Sequence, residues 1–153
     1  MTLHCRRTAL LVVVVFMASA CAQGGPPVDQ SPVEPIRDGV FIHISHGPED
    51  AHRVLMALKM AEIMAPDRDV LVYLDIHGIE VVLADAPDIT FSHFPSSHTQ
   101  IAHLLEMGVP IYACPGCLKA AGKGPEDLAE GILVAEKDAF FDFTKGRILT
   151  LDY

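Results

Sequence analysis

Cys114 and Cys117, in the run Cys114-Pro115-Gly116-Cys117, hold the most obvious chemistry in this sequence. The residues Val109 to Ala113 before them read as a strand and those after as a helix, so Cys114 is expected at a strand-to-helix junction. Unpaired N–H groups at a helix start favour a thiolate, which makes Cys114 the expected nucleophile near neutral pH. Cys117, one turn on, is placed to attack a mixed disulfide or persulfide formed on Cys114.

The same pair supports other readings. Two thiolates at this spacing make half of a tetrahedral copper or zinc site, and His46 and His77 are the histidines expected to reach it from neighbouring strand ends. In that case the protein is a non-enzymatic metal-binding protein. The cysteines can also oxidise to a local staple in an oligomeric scaffold without chemistry. His43, His52, His93, His98 and His103 are expected in surface or hydrogen-bonded roles. Met56, Met60 and Met64 read as gap fillers between a helix and a sheet, and Asp75 as a turn cap or a partner of His77. Ser96-Ser97-His98 lacks a nucleophile elbow, and Gly122-Lys123-Gly124 is too short for a phosphate loop.

The elements that must position these residues follow from periodicity. Strands are expected at 39–44, 69–75, 109–113, 132–135 and 147–153, the second so continuously apolar that it suits burial on both faces. Helices are expected from Pro48 to about Met64, over 97–107 with Gly108 closing it, at 118–121, 125–130 and 137–143. The segment 78–84 is either a short strand or a helical turn, and 85–96 is a long loop. Alternating strands and helices predict a mostly parallel five-stranded sheet with helices on both faces, a three-layer α/β/α domain over 39–153. In such sheets reactive groups gather beyond the carboxyl ends of the strands.

Composition narrows the setting. A chain of 153 residues that is 50% apolar supports one core. The net charge of -9, with no Lys/Arg run, argues against nucleic acid as a partner. Residues 1–20 carry Arg6 and Arg7, an apolar stretch from Ala9 to Met17, and the small residues Ala18-Ser19-Ala20, the layout of a cleaved export signal. With Cys21 directly after it, the segment resembles a bacterial lipoprotein signal, which implies acylation of Cys21 and attachment on the periplasmic side of a membrane. The alternative is an ordinary signal cut nearby. Removing Arg6 and Arg7 leaves the mature chain still more acidic, so any hold on the membrane must come from the acyl chains. Residues 21–38, with Pro26, Pro27, Pro32 and Pro35, read as a tether.

Val109-Pro110-Ile111-Tyr112-Ala113-Cys114-Pro115-Gly116-Cys117-Leu118-Lys119-Ala120-Ala121-Gly122, with the strand, helix and strand from Gly39 to Asp75 before it, resembles the DsrE/DsrF family of sulfur-relay proteins. The resemblance implies a flavodoxin-like sheet, assembly as trimers, hexamers or heteromers, and exchange with a thiol or sulfur-carrier protein. In that family a cysteine at the end of this strand, followed eight residues later by glycine, carries persulfide sulfur, and Cys114 with Gly122 fits. The expectation is an exported DsrE-like protein, a sulfurtransferase or persulfide carrier, handling sulfane sulfur or thiol redox through Cys114 and Cys117.

Overall fold

The computed structural model describes residues 35–153, so the expected export signal, Cys21 and most of the expected tether lie outside the described residues. Five strands, β1 (Gly39–Ile44), β2 (Asp69–Leu74), β3 (Ile111–Ala113), β4 (Leu133–Val134) and β5 (Ile148–Asp152), form one sheet in the order β4-β3-β2-β1-β5. Every pairing is parallel, which sharpens the expected "mostly parallel". The order runs outward from β1 through β2 and β3 to β4, then returns to β5 on the other side of β1. The sheet is thus doubly wound, with its switch point between β1 and β5.

Side chains alternate along each strand, and parallel register carries that alternation across the sheet. Val40, Ile42 and Ile44 share one face with Val70, Val72, Leu74, Ile111 and Ala113, and all eight are buried. Two helices cover that face, α1 (Ala51–Met64) and α2 (Ser97–Glu106). Asp50 caps α1, its carboxylate accepting from the Arg53 N–H at 3.2 Å, after a 3-10 turn at Pro48–Asp50. Val54, Leu55, Leu58 and Ala61 then recur at helical spacing and are fully buried; each of the larger ones contributes about 1.5–3 kcal/mol by leaving water. Met60 and Met64 pack against this core as gap fillers. Gly108, at φ +76°, ends α2 in the left-handed conformation that only glycine adopts without strain.

The opposite face is thinly covered. The chain from β4 to β5 has to cross the sheet, and on the way α4 (Ala139–Asp142) lays Phe140 edge-on against Tyr73 and Phe41, with centroids 5.0 and 5.6 Å apart. This completes the three-layer α/β/α arrangement, one outer layer thick and the other slight. A fourth helix, α3 (Pro115–Ala120), leaves the end of β3 and buries Leu118 in the main core.

Local details differ from the sequence expectations at the short elements. Of the two readings open for 78–84, the helical turn holds, as part of a 3-10 turn over Ile76–Val81. The expected helix over 125–130 is a single 3-10 turn, Pro125–Asp127, and β3 starts at Ile111 instead of Val109. Pro110 accounts for the late start: it has no N–H, and its carbonyl instead receives the Val72 N–H at 3.0 Å.

Candidate functional site

The carboxyl edge of the sheet assembles a row of polar side chains on its thinly covered face. Tyr73 pairs in register with His43 on β1 and Tyr112 on β3, and Asp152 on β5 pairs with His43. One step past the strands, Asp75 and Cys114 continue the same alternation, with the Cys114 N–H donating to the Leu74 carbonyl at 2.9 Å. Asp152, His43, Tyr73 with Asp75, and Cys114 therefore follow one another across four neighbouring strands.

Cys114 is the N-cap of α3, half-buried, and its thiol is free, as is that of Cys117. Burial pushes the Cys114 thiol up, but four donors outweigh it. The Tyr73 hydroxyl, the Cys117 N–H, the Cys117 thiol and the Gly116 N–H favour its charged form and hold it below the ordinary cysteine range. Cys117 moves the other way, because burial and the neighbouring Cys114 charge raise it more than the Ile76 N–H lowers it. The two thiols are thus unequal: Cys114 gives up its proton more readily than Cys117. Tyr73 is raised well above its usual value by burial and by donating to Cys114, so it stays protonated as a donor across the physiological range.

The Ile76 N–H reaches Cys117 Sγ at 3.1 Å, and to present it Ile76 sits at φ +48°. A β-branched residue in the left-handed region costs about 1–3 kcal/mol and persists only where surrounding structure enforces it. Gly78 supplies the enforcement: it is buried against β1 so closely that a Cβ there would stand 2.2 Å from the Ile44 carbonyl oxygen.

His43 lies between two carboxylates, Nδ1 at 2.8 Å from Asp152 and Nε2 at 2.9 Å from Asp75; the second contact is an ion pair without hydrogen-bond alignment. Burial lowers the His43 pKa, but Asp152 and Asp75 outweigh it and the imidazole is raised above its ordinary value. His43 also stacks on Tyr73, centroids 5.7 Å apart.

Of the residues singled out from sequence, Cys114 and Cys117 stand together at a strand end beside a helix start, as expected. His46 and His77 do not join them through any bond. His46 bonds Ser45 and Arg53, and His77 pairs with Glu80. Among the described residues no group of three His, Cys, Asp or Glu side chains is spaced to hold a metal ion. Asp75 neither orients His77 nor caps the 3-10 turn with its side chain, since its partner is His43. Sequence reading missed Tyr73 and the Ile76 N–H, whereas His43 takes the hydrogen-bonded role expected of it, with Asp152. The usable signal for Tyr73 was the two-residue alternation that puts Tyr73 and Asp75 on one face, and likewise Tyr112 and Cys114.

The titration order has a direct test. Iodoacetamide alkylation of Cys114 is expected to approach its plateau at lower pH than that of Cys117, because a lowered pKa leaves more thiolate on the acid side. Tyr73→Phe removes a charge-assisted donor and should slow Cys114 alkylation at pH 7 by about ten-fold. An unchanged rate in Tyr73→Phe would show that the phenol does not hold the thiolate.

This geometry defines an α/β protein of the doubly wound class with a dithiol at the carboxyl edge of its sheet. Neither a protein-family model nor a curated protein sequence matches the chain. Among solved structures it is similar to a protein of unknown function, MTH1491, from Methanobacterium thermoautotrophicum, at 22% identity and TM-score 0.53, covering 75% of this chain and 99% of that one. It is also similar to the ychN protein of E. coli, at 13% identity and TM-score 0.52, covering 76% and 100%. At these identities the likeness is one of fold, and it spans nearly the full length of both relatives.

Proposed function

We propose that this protein is a DsrE-like carrier of sulfane sulfur, with Cys114 as the acceptor and Cys117 as the resolving thiol. The observation that carries the reading is the placement of two free thiols at the carboxyl edge of the sheet, Cys114 as the N-cap of α3 and Cys117 within its first turn, accepting from the Ile76 N–H at 3.1 Å. The fold and the match of Cys114 with Gly122 to the family spacing support it.

The Cys114 thiolate attacks the outer sulfur of a persulfide R–S–SH. The Sγ–S bond forms as the donor S–S bond breaks, and the electron pair leaves on R–S⁻. Release has two routes. A partner thiolate takes the outer sulfur and returns Cys114 as thiolate. Alternatively Cys117, after losing its proton, attacks Cys114 Sγ, expelling HS⁻ and closing a disulfide that a thiol reductant must reopen. Exposure of reduced protein to inorganic polysulfide, followed by peptide mass spectrometry, tests the first step; no added sulfur on Cys114 under any reducing condition removes the reading.

The same proposal sets the protein outside the cytoplasm, acylated at Cys21, and assembled from several copies. Leu133, Leu149 and Phe141 are exposed apolar surface available for assembly. Cys21→Ser is expected to move the protein from the membrane to the soluble fraction. A mature chain that begins elsewhere and carries no acyl mass would overturn the anchor.

A further inference from the structure

Beside the thiols lies a groove that their chemistry, as described above, does not use. Phe41, Tyr73, Phe140, Ile148 and Thr150 wall a space of ≈ 360 Å³ on the thinly covered face, alongside the switch point between β1 and β5. Doubly wound sheets hold ligands near this point, and the volume is within the range of small-molecule sites. Tyr73 belongs to both features: its ring is a wall of the groove and its hydroxyl donates to Cys114.

The walls are largely apolar, and the charged end is the wrong sign for an anion. His43 and Asp75 close that end, with Asp152 bonded to His43, so two carboxylates face one imidazole. Among the described residues no Lys or Arg lines the groove. An anionic donor would lose hydration on entering and gain repulsion, whereas a neutral one buries its organic groups against three aromatic rings.

We propose that the sulfur donor of this site is an uncharged, apolar organic polysulfane, R–S–S–S–R, with an R group seated among Phe41, Tyr73 and Phe140. This rests on the sulfur-carrier reading and names its substrate class. The Cys114 thiolate attacks the central sulfur; the Sγ–S bond forms, one S–S bond breaks and R–S⁻ leaves. That R–S⁻ then attacks the sulfur bearing the remaining R group, giving R–S–S–R and Cys114–S–S⁻. One neutral sulfur atom has been transferred, with no external oxidant or reductant.

The test compares dibenzyl trisulfide with bis(2-carboxyethyl) trisulfide, which share the trisulfane and differ in charge and apolar bulk. Each rate of persulfide formation on Cys114 is divided by that reagent's rate with a free small thiol. The neutral reagent should be favoured by about ten-fold after this correction. Phe140→Ala should erase most of the preference, and Thr150→Arg, at an exposed strand position, should accelerate the dianionic reagent; circular dichroism checks that both variants fold. Equal corrected rates, or a preference untouched by both substitutions, overturn the assignment and leave the sulfur-carrier reading standing. If neither trisulfide nor inorganic polysulfide loads Cys114, the sulfur-carrier reading itself falls.

Discussion

Cys114→Ser is expected to take up no sulfur from polysulfide, while Cys117→Ser loads normally and holds its persulfide longer than the parent protein. The asymmetry follows from the neighbours of each thiol. Tyr73, Gly116 and Cys117 favour the charged form of Cys114, so the negative charge needed for attack is stabilised at its Sγ. A serine hydroxyl there would not ionise near neutral pH and makes no S–S bond. Cys117 donates its thiol proton toward Cys114 and meets one backbone N–H, so its loss removes the internal route of sulfide release without removing the acceptor. Peptide mass spectrometry of the two variants after the same exposure reads both outcomes. Loading on Cys117 in the Cys114→Ser protein at the parental rate would reverse the assignment of roles.

Gly78→Ala is expected to destabilise the domain by about 3 kcal/mol and to disturb the dithiol without altering any residue that touches it. The added methyl would meet a backbone oxygen, that of Ile44, at 2.2 Å, and the Ile44 carbon at 3.0 Å. Neither atom can rotate away as a side chain would. Relief therefore requires the 3-10 turn Ile76–Val81 to lift from β1, and with it the Ile76 N–H that reaches Cys117. A useful comparison is Gly116→Ala, whose new methyl would meet only Cys114 Sγ at 3.8 Å, an ordinary contact, and whose stability should change little. Denaturant unfolding of the two variants gives the contrast, and alkylation rates of Cys117 report the lost hydrogen bond. If Gly78→Ala unfolds at the parental midpoint, the close packing of the turn on β1 is not what holds Ile76 at positive φ.

Legibility varied with element length. β1, α1, β2 and α2 stood close to where periodicity put them, because each carries enough apolar positions to define a face and clear stops such as Pro66 and Gly108. The shorter pieces after Gly122 shrank on inspection: 125–130 to one 3-10 turn, 132–135 to the two residues of β4, and 137–143 to the four of α4. Their stretches are too brief for propensity to outweigh tertiary packing. The positions of Cys114 and Cys117 were legible for a local reason, since strand, N-cap and first helical turn are consecutive in the chain.

The sequence by itself determined the parallel α/β class, the main helix faces and the dithiol at a strand-to-helix junction, because each depends on residues within a few positions of one another. Cys114 was already the expected nucleophile from its place at a helix start, and only the tertiary structure decided which distant groups support that choice. That choice rests on Tyr73 and on the Ile76 N–H, 41 residues from Cys117 in the chain, and both reach the thiols because β2 pairs with β3. Alternation along a strand says which side chains share a face, but which strands become neighbours is set by how α1, α2 and the crossing segment of α4 bury the two faces of the sheet. The strand order β4-β3-β2-β1-β5 is what aligns Asp152, His43, Tyr73 and Cys114 into one row and leaves a groove beside it.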